Sequence, residues 1–194
     1  MTGAWRRGTL RAGPIPPAGL VVKIGGSLLG LHGWPELLAD LITPLGDKVP
    51  EPLLIVGGGR VVDGLREIDA ASPRPPALMH DLAIDAMSLT ARIVADALGL
   101  HVIATGSSAG VLDAAAWLGS AEHSARLDAG WHVTSDSIAA LVAAETGRGL
   151  LLAKRAPPPE HGHDLERLAT TGWVDAHFPV AAATIATIRW AAPA

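Results

Sequence analysis

The sequence contains no cysteine and no tyrosine among its 194 residues, and only one phenylalanine. Disulfide bonds and thiolate metal sites are therefore excluded, although this absence leaves the redox compartment open. A basic excess is also missing, since the formal net charge is −4 and the pI is about 6.0. Proteins that bind nucleic acids through their phosphates usually carry an excess of positive charge. We therefore expect no nucleic-acid partner.

Long hydrophobic runs are absent as well, even though 49% of the residues are hydrophobic. No stretch approaches the roughly 20 apolar residues that a membrane-spanning helix needs. The N-terminal segment carries arginines but no uninterrupted apolar run before Lys23. A chain of this length normally forms one compact domain with a substantial core. We therefore expect a cytoplasmic protein without a membrane partner.

Lysine is scarce, since arginine outnumbers it 12 to 3. Lys48 lies in GDKVPEP, which is typical of an exposed turn. Lys23 and Lys154 instead lie at or near the ends of the apolar runs LVVKIGG and LLLAKR, where a surface role is less natural. These two lysines are therefore candidates for a functional site.

Short apolar runs bounded by glycine or proline alternate with helical patterns along the chain. The runs GLVVKIGG, PLLIVGGG, LHVIATG and GLLLAKR are typical of strands that are buried on both faces. The pattern predicts five helices, over Pro35 to Leu45, Arg60 to Ala71, Ala77 to Leu98, Gly110 to Leu118 and Ser137 to Thr146. The alternation predicts parallel βαβ units in an α/β sandwich.

The helix predicted over Ala77 to Leu98 is the longest of the five and is amphipathic. One stripe along it is formed by Leu82, Ala83, Ala86, Leu89, Thr90, Ile93 and Ala97. The other side largely carries Asp81, Asp85, Ser88, Arg92 and Asp96.

Two glycine clusters follow the first two predicted strands, KIGGS at 23–27 and IVGGGR at 55–60. Ligands of parallel sheets bind at the carboxyl ends of strands, and glycine lets phosphate oxygens approach the backbone N–H groups there. Lys23 can extend over the first loop and offer a charge to a phosphoryl oxygen. Two tight strand-to-helix turns are the simpler alternative. Neither cluster matches a P-loop or a dinucleotide-binding G-x-G-x-x-G.

VVKIGGSLL, followed about thirty residues later by LLIVGGGRVVDGLREID, resembles the amino acid kinase family. The resemblance implies a three-layer αβα sandwich around a mainly parallel sheet. It also implies phosphoryl transfer from ATP, with Mg²⁺, to carboxylate, carbamate or phosphate oxygens. MHDLAIDAMSL, GWHVTSDSIAALVA and GWVDAHFP resemble the short archaeal and methylotroph branch associated with 5-(aminomethyl)-3-furanmethanol phosphate kinase, an enzyme of methanofuran biosynthesis.

Carried over position by position, the resemblance assigns roles to individual residues. Lys23 would stabilise charge on the transferred phosphoryl group, and Asp136 would orient the lysines. Nucleotide phosphates would contact Gly25, Gly26 and Ser27, whereas the acceptor and the γ-phosphoryl group would contact Gly57, Gly58 and Gly59. His80 matches a histidine of the branch and would contact the acceptor. Helix capping by Asp136 and packing or capping by His80 remain open alternatives.

The second half of the chain departs from the family. Where the family usually has a T-D-V-D-G-like segment after the fourth strand, this chain has LLLAKRAPPPEHGHD. Either Lys154 or Arg155 would take the place of a cation that the family carries in its nucleotide site. The alternative is that both residues form the solvated end of a strand. The resemblance divides the chain into an N-terminal extension (1–19), an acceptor-binding half (20–118) and a shortened nucleotide-binding half (119–194).

Other polar residues have simpler explanations than a site. His161, His163 and Asp164 lie in a proline-rich segment, where H-x-H is more often solvated than metal-binding, so we predict no metal-ligating residues. Three carboxylates are candidate partners of a substrate ammonium group, although solvated surfaces explain them more simply: Asp63, Asp81 and Asp85.

Three functions therefore stay open. The first is an ATP- and Mg²⁺-dependent kinase acting on 5-(aminomethyl)-3-furanmethanol phosphate, and the second is a kinase of another carboxylate or phosphate. The third is a non-catalytic anion-binding or assembly protein with a degenerate kinase fold. Because an acceptor phosphate is already deprotonated near neutral pH, no general base is required. The resemblance also implies a homodimer or higher homo-oligomer, through the 77–98 helix, with a hetero-oligomer as an alternative.

Overall fold

The computed structural model describes residues 5–46, 51–120, 123, 127–159 and 164–194. Seven strands of this part of the chain form one sheet: β1 Trp5–Arg11, β2 Leu20–Ile24, β3 Leu53–Val56, β4 Val102–Ile103, β5 Gly110–Leu112, β6 Gly149–Ala153 and β7 Ile188–Pro193. Their order across the sheet is β1-β7-β6-β2-β3-β5-β4. Only the β1–β7 pair is antiparallel. The predicted mainly parallel sheet is confirmed.

Helices flank both faces of this sheet: α1 Trp34–Gly46, α2 Gly59–Ala71, α3 Pro76–Leu98, α4 Ala114–Leu118, α5 Ser135–Glu145, α6 Leu165–Thr170 and α7 Phe178–Ala181. Alternate residues of the central strands enter two apolar cores. One core packs mainly against α4 to α7, and the other against α1 and α3. The predicted sandwich is therefore confirmed. Among the described helices, none combines the length and apolar character that a membrane crossing requires.

The fourth predicted helix is wrong in its first part. Gly110–Leu112 is strand β5, which pairs with β3 and β4, and the helix begins only at Ala114. The side chain of Asp113 accepts hydrogen bonds from the N–H groups of Ala115 and Ala116 at 3.1 and 3.2 Å. This cap starts the helix after a short buried strand.

The N-terminal segment contributes an edge strand that the sequence pattern does not indicate. β1 pairs with β7, and the Arg11 guanidinium donates to the carbonyl oxygens of Ala182 and Ile185 at 2.7 and 2.6 Å. WRRGTLR is partly exposed, so it lacks the continuous apolar run of the central strands. Part of the predicted N-terminal extension therefore belongs to the sheet.

The apolar stripe predicted along α3 coincides only in part with its buried face. Leu82, Leu89 and Ile93 are 37%, 51% and 53% exposed, whereas Met87 and Val94 are buried. The helix carries more apolar residues than one face can hold, and its contacts with β3 and β5 select the buried set. A second apolar face of α3 is left exposed.

Candidate functional site

The two glycine loops meet at the carboxyl ends of β2 and β3. The N–H of Gly57 donates to the carbonyl of Ile24 at 2.9 Å. A Cβ on Gly26 would lie 2.2 Å from the backbone nitrogen of Gly59 and 2.4 Å from the carbonyl oxygen of Gly57. The loops are thus in backbone-to-backbone contact, which only glycine at position 26 allows.

A buried carboxylate holds two lysines beside these loops. Lys23 Nζ lies 2.7 Å from Asp136 Oδ1, and Lys154 Nζ donates to Asp136 Oδ2, also at 2.7 Å. Lys23 is 5% exposed and Asp136 is 4% exposed. The three side chains come from the ends of β2 and β6 and from the first turn of α5, and we call them the charged triad.

Trp173 completes the surroundings of Lys154. The Lys154 ammonium group also donates to the carbonyl oxygen of Trp173, and it lies 4.8 Å from the centroid of the indole ring. A cation over an aromatic face is attracted by the ring quadrupole. Lys154 is therefore fixed in place and is not a solvated strand terminus.

The triad shifts the pKa values of two of its members. Burial alone would raise the pKa of Asp136, but the charges of Lys23 and Lys154 and their hydrogen bonds hold it below the ordinary value for aspartate. Burial lowers the pKa of Lys154; Asp136 opposes this shift, and Lys23 adds to it. The carboxylate is therefore ionised near neutral pH.

The first cavity of the site, which we call the cationic cavity, has a volume of about 220 Å³. Its wall includes the side chains of Lys23, Lys154, Arg155 and Trp173, and the loop residues Gly25, Gly26 and Ser27. Positive side chains and a backbone without Cβ atoms are the groups that bind phosphate oxygens.

The second cavity, of about 210 Å³, lies on the other side of the glycine loops, and we call it the apolar cavity. Its apolar wall includes Val62, Ala83, Ile84, Met87, Trp131 and Ile138. Polar groups also reach it, among them Arg66, His80, Ser135 and the glycines Gly57, Gly58 and Gly59. Such a mixture suits a small organic molecule with one charged group.

Gly26 and Ser27 belong to the walls of both cavities. The 3-10 turn that contains them, Gly26–Gly30, follows β2 directly. The two cavities therefore adjoin at Gly26 and Ser27, beside Lys23.

The mouth of the apolar cavity is organised by residues that the sequence analysis missed. Trp131 donates from its indole N–H to Asp69 Oδ2 at 2.8 Å, and the Arg66 guanidinium lies 5.1 Å from the Trp131 ring centroid. The hydrogen bond from Trp131, and a second from the N–H of Arg74, lower the pKa of Asp69. GWHVTSDS contains Trp131, but the sequence does not reveal its contact with α2.

The structure gathers the predicted site residues into this one region. Lys23, Gly25, Gly26, Ser27 and Lys154 line the cationic cavity, with Asp136 behind the lysines. The three glycines at 57–59 and His80 line the apolar cavity, and His80 Nδ1 lies 3.4 Å from the carbonyl oxygen of Gly130. The chemical roles of these residues stay predictions. Asp136 is not the cap of its helix, because Thr134 occupies that position.

The remaining polar candidates are dispersed. Asp63 lines the apolar cavity and pairs with Arg66 at 3.2 Å, whereas Asp81 and Asp85 lie in an adjoining cavity. Asp164 caps α6 by accepting from the N–H of Glu166 at 3.0 Å, and the histidines at 161 and 163 lie outside the described residues. Over the described ranges, no group of three or more histidines or carboxylates is arranged to hold a metal ion.

A family model described as the amino acid kinase family matches residues 19–130. The match covers more than half of the chain and contains both glycine loops and His80. The chain belongs to the amino acid kinase family. Asp136 and Lys154 lie beyond the matched range, so the charged triad joins one residue from inside the match with two from outside it.

Solved structures of family-like kinases share the fold. The uridylate kinase from Archaeoglobus fulgidus is 17% identical with a TM-score of 0.53, over 71% of this chain and 63% of that one. The UMP kinase from Ureaplasma parvum is 18% identical with a TM-score of 0.55, over 72% and 69% of the two chains. The aspartate kinase from Synechocystis is 14% identical with a TM-score of 0.59, over 90% and 40%.

The chain therefore spans about 63% of the length of the Archaeoglobus fulgidus kinase that it resembles. At these identities the likeness extends to the fold. No curated protein is similar enough in sequence to count as a relative of this chain.

Proposed function

We propose that this member of the amino acid kinase family is a phosphotransferase that moves the γ-phosphoryl group of ATP to a small acceptor. The observation that carries the proposal is the strip formed by Gly26 and Ser27, which lines the cationic cavity on one side and the apolar cavity on the other. Two ligands that meet beside these shared residues have their reacting groups close together, and such positioning supplies a large part of the catalysis.

The cationic cavity suits the phosphates of ATP. Lys23 and Lys154 supply charge, and the absence of a side chain at Gly25 leaves room for oxygen atoms beside them, while the Gly25 N–H itself donates to the carbonyl of Ala153. A Cβ on Gly25 would lie 3.9 Å from Lys23 Nζ and 3.0 Å from the carbonyl oxygen of Ala153, so a side chain there would crowd the place where a phosphate is needed. Mg²⁺ enters this proposal with ATP, held mainly by its phosphates.

Lys23 has the central role in the transfer step. A phosphate oxygen of the acceptor forms a bond to the γ-phosphorus, the bond from that phosphorus to the β,γ-bridging oxygen breaks, and ADP leaves. Negative charge on the transferred group is spread over its equatorial oxygens. Lys23 lies at the end of β2 beside the shared strip, and Asp136 holds its ammonium group in a fixed position. A preorganised charge of this kind stabilises the transition state.

The apolar cavity supports an acceptor with a flat apolar body and an anionic group. Met87, Ile84 and Trp131 offer apolar surface, whereas Arg66 and the backbone of the second glycine loop offer donors. We propose 5-(aminomethyl)-3-furanmethanol phosphate as the acceptor, since its furan ring and phosphate match these two kinds of wall. Another small carboxylate or phosphate would use the same wall and is the alternative within the kinase proposal.

A non-catalytic anion-binding protein is the second candidate. The segment LLLAKRAPPPEHGHD, which stands where the family usually has a T-D-V-D-G-like motif, favours it. The charged triad favours the kinase, because a protein that only binds an anion has no need for a second cation fixed through a shared carboxylate.

The experiment that tests the kinase incubates the protein with Mg-ATP and 5-(aminomethyl)-3-furanmethanol phosphate, and follows ADP and the diphosphate product by mass spectrometry. A parallel panel contains UMP, aspartate and N-acetylglutamate. We expect product with the furan phosphate and none with the Lys23→Met variant. Product from another panel member alone would replace the proposed acceptor, and no product from any acceptor would refute the kinase.

We also propose that two copies pair through the exposed face of α3. Leu82, Leu89 and Ile93 are exposed there, and Asp85 and Arg92, which are exposed at the border of this face, lie seven residues apart. In an antiparallel two-fold pair centred near Leu89, Asp85 of each copy lies opposite Arg92 of the other. The face is therefore complementary to itself in charge and apolar character.

A further inference from the structure

Asp175 lies in the loop between α6 and α7, and its carboxylate reaches the first turn of α5. Oδ2 accepts hydrogen bonds from the N–H and the hydroxyl of Thr134 at 3.0 and 2.8 Å, and from the N–H of Ser137 at 3.0 Å. Oδ1 accepts from the Ser137 hydroxyl and from the N–H of His177. One side chain thus binds residues on both sides of Asp136.

A direct chain of hydrogen bonds leads from Asp175 to Asp136. The Thr134 hydroxyl donates to Asp175, and its oxygen accepts from the N–H of Asp136 at 3.4 Å. Because Thr134 and Ser137 are held by the same carboxylate, the backbone that carries Asp136 is fixed on both sides. The position of the Asp136 carboxylate between Lys23 and Lys154 depends on this backbone.

The segment of Asp175 also contacts the other side of the charged triad. Trp173, two residues earlier, accepts a hydrogen bond from Lys154 with its carbonyl oxygen, and its ring lies beneath the ammonium group. Burial lowers the pKa of Lys154, whereas the negative charges of Asp136 and Asp175 favour the protonated lysine. Residues 173–175 therefore act on two members of the triad: Asp175 holds the backbone around Asp136, and Trp173 contacts Lys154.

We propose that Asp175 is a positioning residue for phosphoryl transfer, which fixes the first turn of α5 and thereby holds the Asp136 carboxylate between the two lysines. This inference rests on the proposed function. A displacement of about 1 Å in a catalytic group can reduce a rate by about a hundredfold, so a loosened Asp136 has a measurable effect. Asp175 itself lines neither cavity, although Thr134, which it binds, lies in the wall of the apolar cavity.

Simple helix capping is the competing explanation, and the chain offers a matched control for it. Asp113 also accepts two backbone N–H groups at the start of a helix, α4, and a serine hydroxyl, from Ser88. It lies outside both cavities. Loss of such a carboxylate is expected to destabilise either helix. Only the loss of Asp175 should alter the charged triad.

The first test compares Asp175→Asn with Asp113→Asn in the phosphoryl-transfer assay, at a temperature at which both variants are folded. We expect kcat to fall about tenfold or more in Asp175→Asn, with the acceptor KM changed by less than about threefold, and kcat to stay near wild type in Asp113→Asn. A kcat within about twofold of wild type in Asp175→Asn, or an equal loss in both variants, would overturn the proposal.

The second test does not depend on kinase activity. The chain has three lysines, so acylation by an N-hydroxysuccinimide ester can be followed at each by peptide mass spectrometry, with Lys48 as the internal reference. In Asp175→Asn we expect Lys154 to be acylated several-fold faster relative to Lys48, because its amine is less firmly held and because a charge that favours its protonated form is lost, while Asp113→Asn matches wild type. An unchanged ratio in Asp175→Asn would contradict the proposal even if the wild type transfers phosphate.

Thr134→Val separates the loss of positioning from the loss of charge, and it also serves if Asp175→Asn does not fold. It removes the hydroxyl that joins Asp175 to Asp136 and leaves both carboxylates in place. Faster acylation of Lys154 in this variant would support the inference, and a wild-type ratio would contradict it. If the wild-type protein transfers no phosphoryl group, the proposed function fails, and the acylation ratios still decide whether Asp175 positions the triad.

Discussion

The two cavities beside the glycine loops have similar volumes, about 220 and 210 Å³, but their walls differ in kind. The cationic cavity combines two lysines and an arginine with backbone that lacks Cβ atoms. The apolar cavity combines aliphatic and aromatic side chains with a few polar groups. The first wall can hold phosphate of any origin, whereas the second can discriminate between organic molecules.

The two walls draw their residues from different parts of the chain. The apolar cavity is lined largely by residues of the range matched by the family model, from both glycine loops, α2 and α3. The cationic cavity draws Lys154, Arg155 and Trp173 from beyond that range. The second half lacks the usual motif, yet it contributes the charges that stand opposite Lys23.

Substitution within the charged triad is expected to have the largest effect on stability and on phosphoryl transfer. We expect Asp136→Asn to lower the free energy of unfolding by about 3–5 kcal/mol, because two buried lysines lose their shared counter-charge. Transfer should be lost at temperatures where the variant is folded. Urea denaturation measures the first effect and the mass-spectrometric assay the second. A variant with wild-type stability would show that the triad is not a buried ion cluster.

The next largest effect is expected from a substitution at the contact between the two glycine loops. We expect Gly26→Ala to lower stability by about 1–3 kcal/mol, since its Cβ would overlap the backbone of Gly57 and Gly59. Gly64→Ala in α2 is the matched control: a Cβ there meets nothing within 4 Å, so it should stabilise the helix by up to about 1 kcal/mol. Thermal unfolding of both variants is the measurement. The account requires that the stability of Gly26→Ala falls while that of Gly64→Ala does not.

The apolar cavity can be altered without touching the cationic one. We expect Ala83→Leu to raise the acceptor KM about tenfold, equivalent to about 1.4 kcal/mol, because the larger side chain fills part of the cavity. Ala97→Leu, at an exposed position of the same helix, should leave KM unchanged. Steady-state kinetics with varied acceptor is the measurement. An unchanged KM in the first variant would place the acceptor elsewhere.

The outer face of α3 gives the smallest effect on catalysis. We expect Leu89→Glu to convert a dimer into monomers in sedimentation velocity, because two buried carboxylates near a two-fold axis repel each other. Transfer per subunit should change little, since Leu89 lines neither cavity. A wild-type protein that sediments as a monomer would refute the pairing.

The sequence predicted four of the seven described strands, most of the described helices and both glycine loops because these features are local. Continuous apolar runs indicate buried strands, and glycines at strand ends indicate close backbone approach. Lys23 was identifiable because a charge in such a run is unusual. The strand and loop patterns are contained in stretches of ten residues or fewer.

The parts that escaped prediction depend on contacts between distant segments. Asp175 lies about forty residues from Thr134 in the chain, and only the packing of the α6–α7 loop against α5 brings them together. The contact of Trp131 with Asp69 joins segments 62 residues apart. The buried face of α3 also depended on its neighbours, because Leu82 and Met87 are equally apolar in the sequence and only one is buried.

The central claim is that ATP binds in the cationic cavity and the acceptor in the apolar cavity. Calorimetry tests it most directly, with Mg-ATP and the furan phosphate titrated separately into wild type, Lys154→Met and Ala83→Leu. We predict that Lys154→Met weakens Mg-ATP binding about tenfold or more and that Ala83→Leu leaves it unchanged, with the opposite pattern for the furan phosphate. Mg-ATP binding that is weakened by Ala83→Leu, or unaffected by Lys154→Met, would contradict the account.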